Sequence, residues 1–194
     1  MSKKESELPV LLFADQPSWE AWLEQNHATS AGVRLRLAKK QADVITITYQ
    51  EALESSLCYG WIDSRKEAYD GSTWLQRFTP RGAKSIWSKV NKDKAEALIA
   101  SGRMRPPGLR AIEAAKRNGQ WDKAYEPQSR AAVPDDLQSE LDRNPQAKAF
   151  FESLDSQNRY AVLFRIHSAK KAETRAKRIQ QFVSMLERGE KIYP

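Results

Sequence analysis

The segment at 77–91, RFTPRGAKSIWSKVN, combines cationic and aromatic side chains around a Pro-Arg-Gly corner. Its pattern predicts the end of a strand near Phe78, a loop, and a helix that begins at Ser88. A helix N-terminus carries unpaired N–H groups and the positive end of the helix dipole, which favour anions. Arg81 and Lys84 in the loop add positive charge at that point. The segment therefore predicts an anion site, although it lacks the adjacent Gly-Lys of a P-loop.

A second stretch, GWIDSR at 60–65, is predicted to form a strand that pairs with the one ending near Arg77. A two-residue turn at Asp70-Gly71 would place Asp63 opposite Phe78, whereas a three-residue turn would let Asp63 share a face with Arg77. The sequence leaves this register open. Together the two stretches predict a pocket for a small anionic or aromatic-anionic molecule, lined by Trp61, Asp63, Arg77, Arg81, Lys84, Trp87, Ser88 and Asn91. In the alternative interpretation, Trp87 is a core anchor and the cations are solvated.

Familiar catalytic and metal-binding patterns are absent from the sequence. The single cysteine, Cys58, lies among apolar residues of a predicted helix without a nearby histidine, so we expect a core residue rather than a nucleophile. No zinc-site spacing, Ser-His-Asp pattern or dinucleotide fingerprint is present, so we expect no metal and no cofactor. A weaker hypothesis is an enzyme that uses Asp63 as a base, with Arg77 and Arg81 clamping an anion.

The net charge of +7 is concentrated in two segments of the 194-residue chain. Residues 77–117 hold eleven Lys/Arg against three Asp/Glu, and residues 156–194 hold nine against three, so the remaining residues sum to −7. The second segment supports an alternative function, nucleic-acid binding, through Lys170, Lys171, Arg175, Lys177 and Arg178. Against it, we expect Arg175 and Arg178 to pair with acidic residues of the N-terminal domain.

The elements that must position these residues are predicted from hydrophobic periodicity and turn residues. Strands are expected at 10–13, 33–39, 44–49 and on both sides of an Asp70-Gly71 hairpin turn, with helices at 17–27 and 49–60. Helices dominate after residue 88. The prediction is an α+β fold, with an antiparallel sheet packed against helices at 1–122, a linker at 123–134 and a helical element at 135–194. No membrane-spanning or secretory segment is apparent, so we expect a cytoplasmic protein.

Several motifs, in this order, resemble one protein family. They are GWIDSR, QRFTPR, SIWSKVN, SGRMRPPG, NGQW, AKKAETRAKRI and GEKIYP, and the resemblance covers about residues 10–194. The sequence is similar to the YdeI/OmpD-associated, or bacteriocin-protection, family. Ser64 departs from the glycine expected after Trp-Ile-Asp. The resemblance implies a YjbR/frataxin-like α+β domain with a helical C-terminal region, in cytosolic bacterial proteins that are linked to stress or antimicrobial-peptide resistance and have no established activity.

Overall fold

The computed structural model describes residues 8–127 and 131–194, and the chain divides into two compact units at the junction of Ala124 and Tyr125. The first unit contains β1 (Val10–Leu11), α1 (Gln16–Asn26), β2 (Val33–Ala38), α2 (Tyr49–Cys58), β3 (Trp61–Ala68), β4 (Thr73–Pro80), α3 (Lys89–Ala100) and α4 (Pro106–Arg117). The second contains α5 (Asp135–Asp142), α6 (Pro145–Ser153), α7 (Ser156–His167) and α8 (Ala172–Glu187). The predicted α+β class with a helical C-terminal region is confirmed.

The first three long helices begin where a side chain can accept a hydrogen bond from the first turn. Asp15 caps α1 by accepting from the Ser18 N–H, and Thr48 forms a capping box with Glu51 at the start of α2. Ser88 caps α3, as predicted, because its hydroxyl accepts the Asn91 N–H. Each cap satisfies an N–H that the helix itself leaves unpaired.

The sheet has the strand order β1-β2-β4-β3 and is mixed rather than purely antiparallel. β2 pairs antiparallel with β4 on one side and parallel with β1 on the other. The predicted strand at 44–49 is wrong, because β2 already has a neighbour on each side and residue 49 opens α2. This segment instead makes one hydrogen bond to β2, from the Ala38 N–H to Thr46 Oγ1, and one to the residues after β1, from the Ile47 N–H to the Phe13 carbonyl.

The turn between β3 and β4 is longer than a two-residue Asp70-Gly71 loop. The Asp70 carboxylate accepts hydrogen bonds from the N–H groups of Ser72 and Thr73 and so organises the turn. Next to it, Ala68 pairs with Trp74, the register of a loop with an odd number of residues. The hairpin itself is confirmed, and its loop has the odd parity of the three-residue alternative.

A bulge in β3 then changes the register of the hairpin. The irregularity lies between Asp63 and Lys66 and adds one residue to β3, so that Asp63 pairs with Phe78. Directly paired residues share a face of a sheet, and successive residues alternate. Asp63 therefore lies on the core face with Phe78, and Arg77 lies on the opposite face. This resolves the register that the sequence left open.

Each unit has its own hydrophobic core. The core of the N-terminal unit is rich in aromatic side chains, with Trp19, Trp61 and Phe78 at most 1% exposed. The core of the C-terminal unit is mainly aliphatic and is built around side chains such as Leu137 and Ile166. Within residues 8–127 and 131–194, no helix has the length and apolar character required to cross a membrane.

Candidate ligand-binding site

The loop after β4 is held in place by Arg81. Its backbone N–H donates to the Gly60 carbonyl at 2.9 Å, and Nη1 donates to the Ile86 carbonyl at 3.2 Å. The guanidinium carbon lies 3.5 Å from the centroid of the Trp87 ring, within the range of a cation–π interaction. The loop thus brings together the two side chains on which the sequence-based prediction concentrated.

A cavity of about 170 Å³ lies between this loop and α4, and we call it the Arg81 cleft. Arg81 and Trp87 line it together with Gly82, Ala83, Ser85, Ala111, Ala114, Ala115 and Asn118. The wall that α4 contributes consists mostly of alanine side chains. Because these side chains are short, the space between the helix and the loop remains open.

Two polar side chains that the sequence-based prediction did not include, Ser85 and Asn118, also shape the cleft. The Gly82 N–H donates to Ser85 Oγ at 3.0 Å, which leaves the Ser85 hydroxyl proton for another acceptor. Asn118 Nδ2 donates to the Ala83 carbonyl at 2.7 Å and ties the end of α4 to the loop. Ser85 lies inside the 77–91 segment, but no local pattern in the sequence indicates that Asn118 reaches the loop from 35 residues away.

Trp87 is both a core anchor and a wall of the Arg81 cleft. It is 2% exposed and packs edge-on against Trp121, with ring centroids 4.8 Å apart. The ammonium groups of Lys92 and Lys116 lie 5.2 and 5.7 Å from the Trp121 ring centroid. The two interpretations of Trp87 are therefore compatible, and further cations surround this pair of indoles.

The other predicted pocket residues near the loop do not line the Arg81 cleft. The Ser88 hydroxyl is engaged as the cap of α3, and Asn91 is buried in the first turn of that helix. Lys84 is exposed on the loop. The start of α3 and the cleft are thus separate features, although they lie a few residues apart.

The predicted residues of the sheet are also separated from the cleft. Trp61 is buried, and its Nε1 donates to the His27 carbonyl at 3.1 Å. Asp63 accepts a 2.8 Å hydrogen bond from the Tyr49 hydroxyl. Since Arg77 lies on the opposite face of the sheet from Asp63, these two side chains do not form the base and anion clamp of the enzyme hypothesis.

Cys58 is buried in the core of the N-terminal unit, as the sequence predicted. Burial raises the pKa of Cys58 to about 11, so its reactive thiolate form is disfavoured. Among the residues that the structure describes, no three His, Cys, Asp or Glu side chains lie close enough together to hold a metal ion.

The basic residues near α8 divide into two groups. Arg175 donates to both carboxylate oxygens of Asp136, at 2.5 and 2.8 Å. Arg178 donates to the Arg165 carbonyl and to Ser168 Oγ. The partners belong to the C-terminal unit, which corrects the expectation that both arginines pair with the N-terminal domain. The remaining side chains of the predicted nucleic-acid set, those of Lys170, Lys171 and Lys177, are exposed.

Comparison with known proteins relates each part of the chain to a different family model. Residues 11–111, more than half of the chain, match the model of a domain of unknown function, DUF8412. The chain belongs to the DUF8412 family. Its residues 130–189 match the model described as "Bacteriocin-protection, YdeI or OmpD-Associated", so that resemblance covers a shorter part of this DUF8412 protein than its motifs suggested. No curated protein and no solved structure matches the chain significantly.

The ion pair between Asp136 and Arg175 predicts a small loss of stability in acid for this DUF8412 protein. Hydrogen bonding to Arg175 lowers the pKa of Asp136 below its ordinary value. A lowered pKa stabilises the fold above the unfolded-state pKa of about 4, and this contribution disappears as pH falls through the lower folded-state value. Because the pair is partly exposed, we expect less than about 1 kcal/mol.

Thermal melts of wild type and Asp136→Asn between pH 7 and pH 2 measure this contribution. The difference in stability between the two proteins should shrink as pH falls below about 4. Asp135→Asn is the matched control, since Asp135 occupies the same first turn of α5. A difference that is independent of pH, or equal for the two variants, would contradict the assignment.

Proposed function

We propose that this protein is a small-molecule binding module that holds a small oxyanion in the Arg81 cleft. The observation that carries the proposal is the position of the Arg81 guanidinium, 3.5 Å over Trp87 at the wall of a cavity of about 170 Å³. Arginine supplies fixed positive charge with N–H donors in a planar fork that matches oxyanions. The Ser85 hydroxyl adds a donor on the same loop.

The size and surroundings of the Arg81 cleft define the class of ligand. Its volume equals the liquid volume of roughly five to six water molecules, which suits phosphate, sulfate or a short carboxylate. Lys92 and Lys116 beside Trp121 add positive potential, which raises the local concentration of anions. A whole nucleotide exceeds this space.

The description of the family matched by the C-terminal region supports a cellular role for the proposed binding. The C-terminal region belongs to a domain type whose description names bacteriocin protection. We infer a cytoplasmic protein in which an α+β domain of the YjbR/frataxin-like kind senses a small anion in a stress or bacteriocin response. Catalysis is not part of this proposal.

Calorimetric titration with phosphate at low ionic strength tests the cleft. Wild type is expected to bind, and Arg81→Ala is expected to weaken binding about ten- to hundredfold, because a hydrogen bond to a charged group contributes about 1.5–3 kcal/mol. Lys84→Ala is the matched control, since it removes one positive charge from the same loop outside the cleft. We expect it to reduce affinity far less.

A second variant separates the cleft from the general charge of the loop. Ala114→Leu enlarges a side chain in the α4 wall of the cleft and leaves every charge in place, so it should also weaken phosphate binding. Ala97→Leu, on an exposed face of α3, is its control. Equal phosphate affinity in wild type, Arg81→Ala and Ala114→Leu would refute the proposal.

Nucleic-acid binding is the second candidate, and one surface of the N-terminal unit favours it. Lys39, Lys40 and Lys66 line a shallow depression beside Trp74, and Lys66 Nζ lies 4.3 Å from the centroid of the Trp74 ring. Lysines around an aromatic ring suit single-stranded nucleic acid. Tight binding to an oligonucleotide that falls steeply with added salt, and is unaffected by Ala114→Leu, would favour this candidate over the Arg81 cleft.

A further inference from the structure

A second cleft lies beside α7 in the C-terminal unit, well separated in sequence from the Arg81 cleft. It has a volume of about 330 Å³. Its lining includes Tyr125, Pro134, Tyr160, Phe164, His167 and Arg175, and we call it the aromatic cleft. The volume falls at the lower end of the range for small-molecule pockets, the size expected for a ligand with one or two rings.

Three aromatic rings form one side of this cleft in a fixed arrangement. The Tyr125 ring meets Phe164 edge-to-face, with centroids 5.1 Å apart and an angle of 85°. The Tyr160 ring lies 5.9 Å from Phe164 at 36°. The Tyr160 hydroxyl donates to the Glu126 carbonyl at 3.2 Å, which holds its ring in place. The rings are therefore positioned before any ligand arrives.

These rings do not belong to the hydrophobic core of the unit. That core is built from residues such as Leu137, Phe151 and Ile166, and the three rings of the cleft are not part of it. All three are only partly buried. Partly exposed aromatic surface gathered around a cavity, and not used by the core, is typical of a binding site.

The polar end of the cleft provides hydrogen-bond donors with little net charge. Arg175 uses Nε and Nη2 for Asp136 and donates Nη1 to the Ile166 carbonyl at 3.2 Å. A guanidinium has five N–H donors, so two remain beyond these three bonds within the described part of the chain. Because Asp136 balances the charge of Arg175, the cleft selects for a hydrogen-bond acceptor more than for a net charge.

We propose that the aromatic cleft binds a planar aromatic small molecule that carries an oxygen acceptor on its edge, such as an aryl carboxylate or aryl carboxamide. The ring packs against Phe164 and the two tyrosines. The oxygen faces the N–H groups of Arg175. This site goes beyond the oxyanion proposed for the Arg81 cleft and does not depend on it.

Ring resonances in NMR spectra, followed during titration, test this site with simple probes. We expect benzoate and benzamide both to shift the signals of Phe164 and Tyr160 in a saturable manner. Cyclohexanecarboxylate, which carries the oxygens without an aromatic ring, should bind at least tenfold more weakly. Benzyltrimethylammonium should bind at least tenfold more weakly than benzamide, because it carries no oxygen acceptor for the N–H groups of Arg175.

Variants identify the binding position. Phe164→Ala and Tyr125→Ala should each weaken benzamide binding at least tenfold. Tyr193→Ala, which removes an aromatic ring of the same unit outside the cleft, should not change it. Circular dichroism melts of each variant confirm folding. The proposal is overturned if neither aryl probe shifts the Phe164 signal, if the cation binds as well as benzamide, or if folded Phe164→Ala and Tyr125→Ala keep wild-type affinity.

The NMR signals of the tryptophan indoles distinguish binding at the two proposed sites. All six tryptophans precede residue 125, so indole signals report on the N-terminal unit. Binding in the aromatic cleft should shift the tyrosine and phenylalanine signals and leave the Trp87 indole unchanged. Phosphate binding in the Arg81 cleft should shift the Trp87 indole signal and leave the tyrosine and phenylalanine signals of the aromatic cleft unchanged. Failure of one proposal therefore leaves the other open to its own test.

Discussion

Replacing Gly108 with alanine is expected to lower the free energy of unfolding of the N-terminal unit by about 3 kcal/mol, the upper part of the usual range for overpacking. Gly108 lies in α4 where this helix meets the end of α2. A Cβ at this position would come within 2.4 Å of the Cys58 carbonyl oxygen and 2.8 Å of the Leu57 carbonyl oxygen. The backbone of one helix must therefore move.

The sign of this effect makes the prediction specific. In an exposed helix, glycine-to-alanine substitution normally stabilises by about 1 kcal/mol. Urea denaturation followed by circular dichroism should instead show a clear loss of stability. Gly71→Ala is the control, since a Cβ there meets nothing within 4 Å. An unchanged or raised midpoint for Gly108→Ala would show that α4 does not pack this closely.

The same substitution connects packing to function. Because α4 forms the alanine wall of the Arg81 cleft, a displaced α4 changes the shape of the cleft. Gly108→Ala should therefore weaken phosphate binding even at temperatures where the protein remains folded. Gly71→Ala should not.

Trp19→Ala is the second substitution with a large expected effect. Trp19 is fully buried, and its Nε1 donates to the Ala52 carbonyl at 3.2 Å. Its ring stacks on Trp22 at 5.3 Å and lies 6.0 Å from Phe78. Removing a buried aromatic side chain leaves a cavity and costs about 3–5 kcal/mol.

Chemical denaturation monitored by far-UV circular dichroism measures this loss independently of the deleted fluorophore. Trp22→Ala is the matched control, because Trp22 is only partly buried in the same helix. Its loss should cost less. If Trp19→Ala were as stable as Trp22→Ala, Trp19 would contribute no more to the stability of the core than the partly buried Trp22.

Local patterns in the sequence predicted the helices best. The Ser88 cap depends on side chains within three residues, so it was predicted without tertiary information. The capping box at Thr48 is equally local, but the sequence analysis assigned Thr48 to the strand at 44–49 instead. The strand assigned to 44–49 failed for the opposite reason. Its alternating pattern fits an extended chain, but the strand order decides whether that chain finds a free sheet edge.

The register of the hairpin shows the same limit. The length of the turn and the bulge after Asp63 shift the pairing in compensating directions, and the sequence marks neither event clearly. The sequence alone therefore does not decide whether Asp63 and Arg77 lie on the same face of the sheet, and the structure shows that they lie on opposite faces.

The candidate sites were predictable only where they are local. Arg81 and Trp87 lie six residues apart in one loop, so the sequence pointed to their meeting. The wall that α4 gives to the same cleft was missed, because alanines carry no chemical signature. Tyr125 and Phe164 of the aromatic cleft are 39 residues apart, and nothing in either local pattern indicates their contact.

The most direct test of the central claim, that a small oxyanion binds in the Arg81 cleft, is the indole N–H resonance of Trp87 during a phosphate titration at constant ionic strength. Trp87→Phe assigns the signal among the six tryptophans. We predict a saturable shift of Trp87, accompanied by its edge-on neighbour Trp121, with little change at the buried Trp19 and Trp61. A Trp87 signal that does not move, or that moves equally in Arg81→Ala, would contradict the claim.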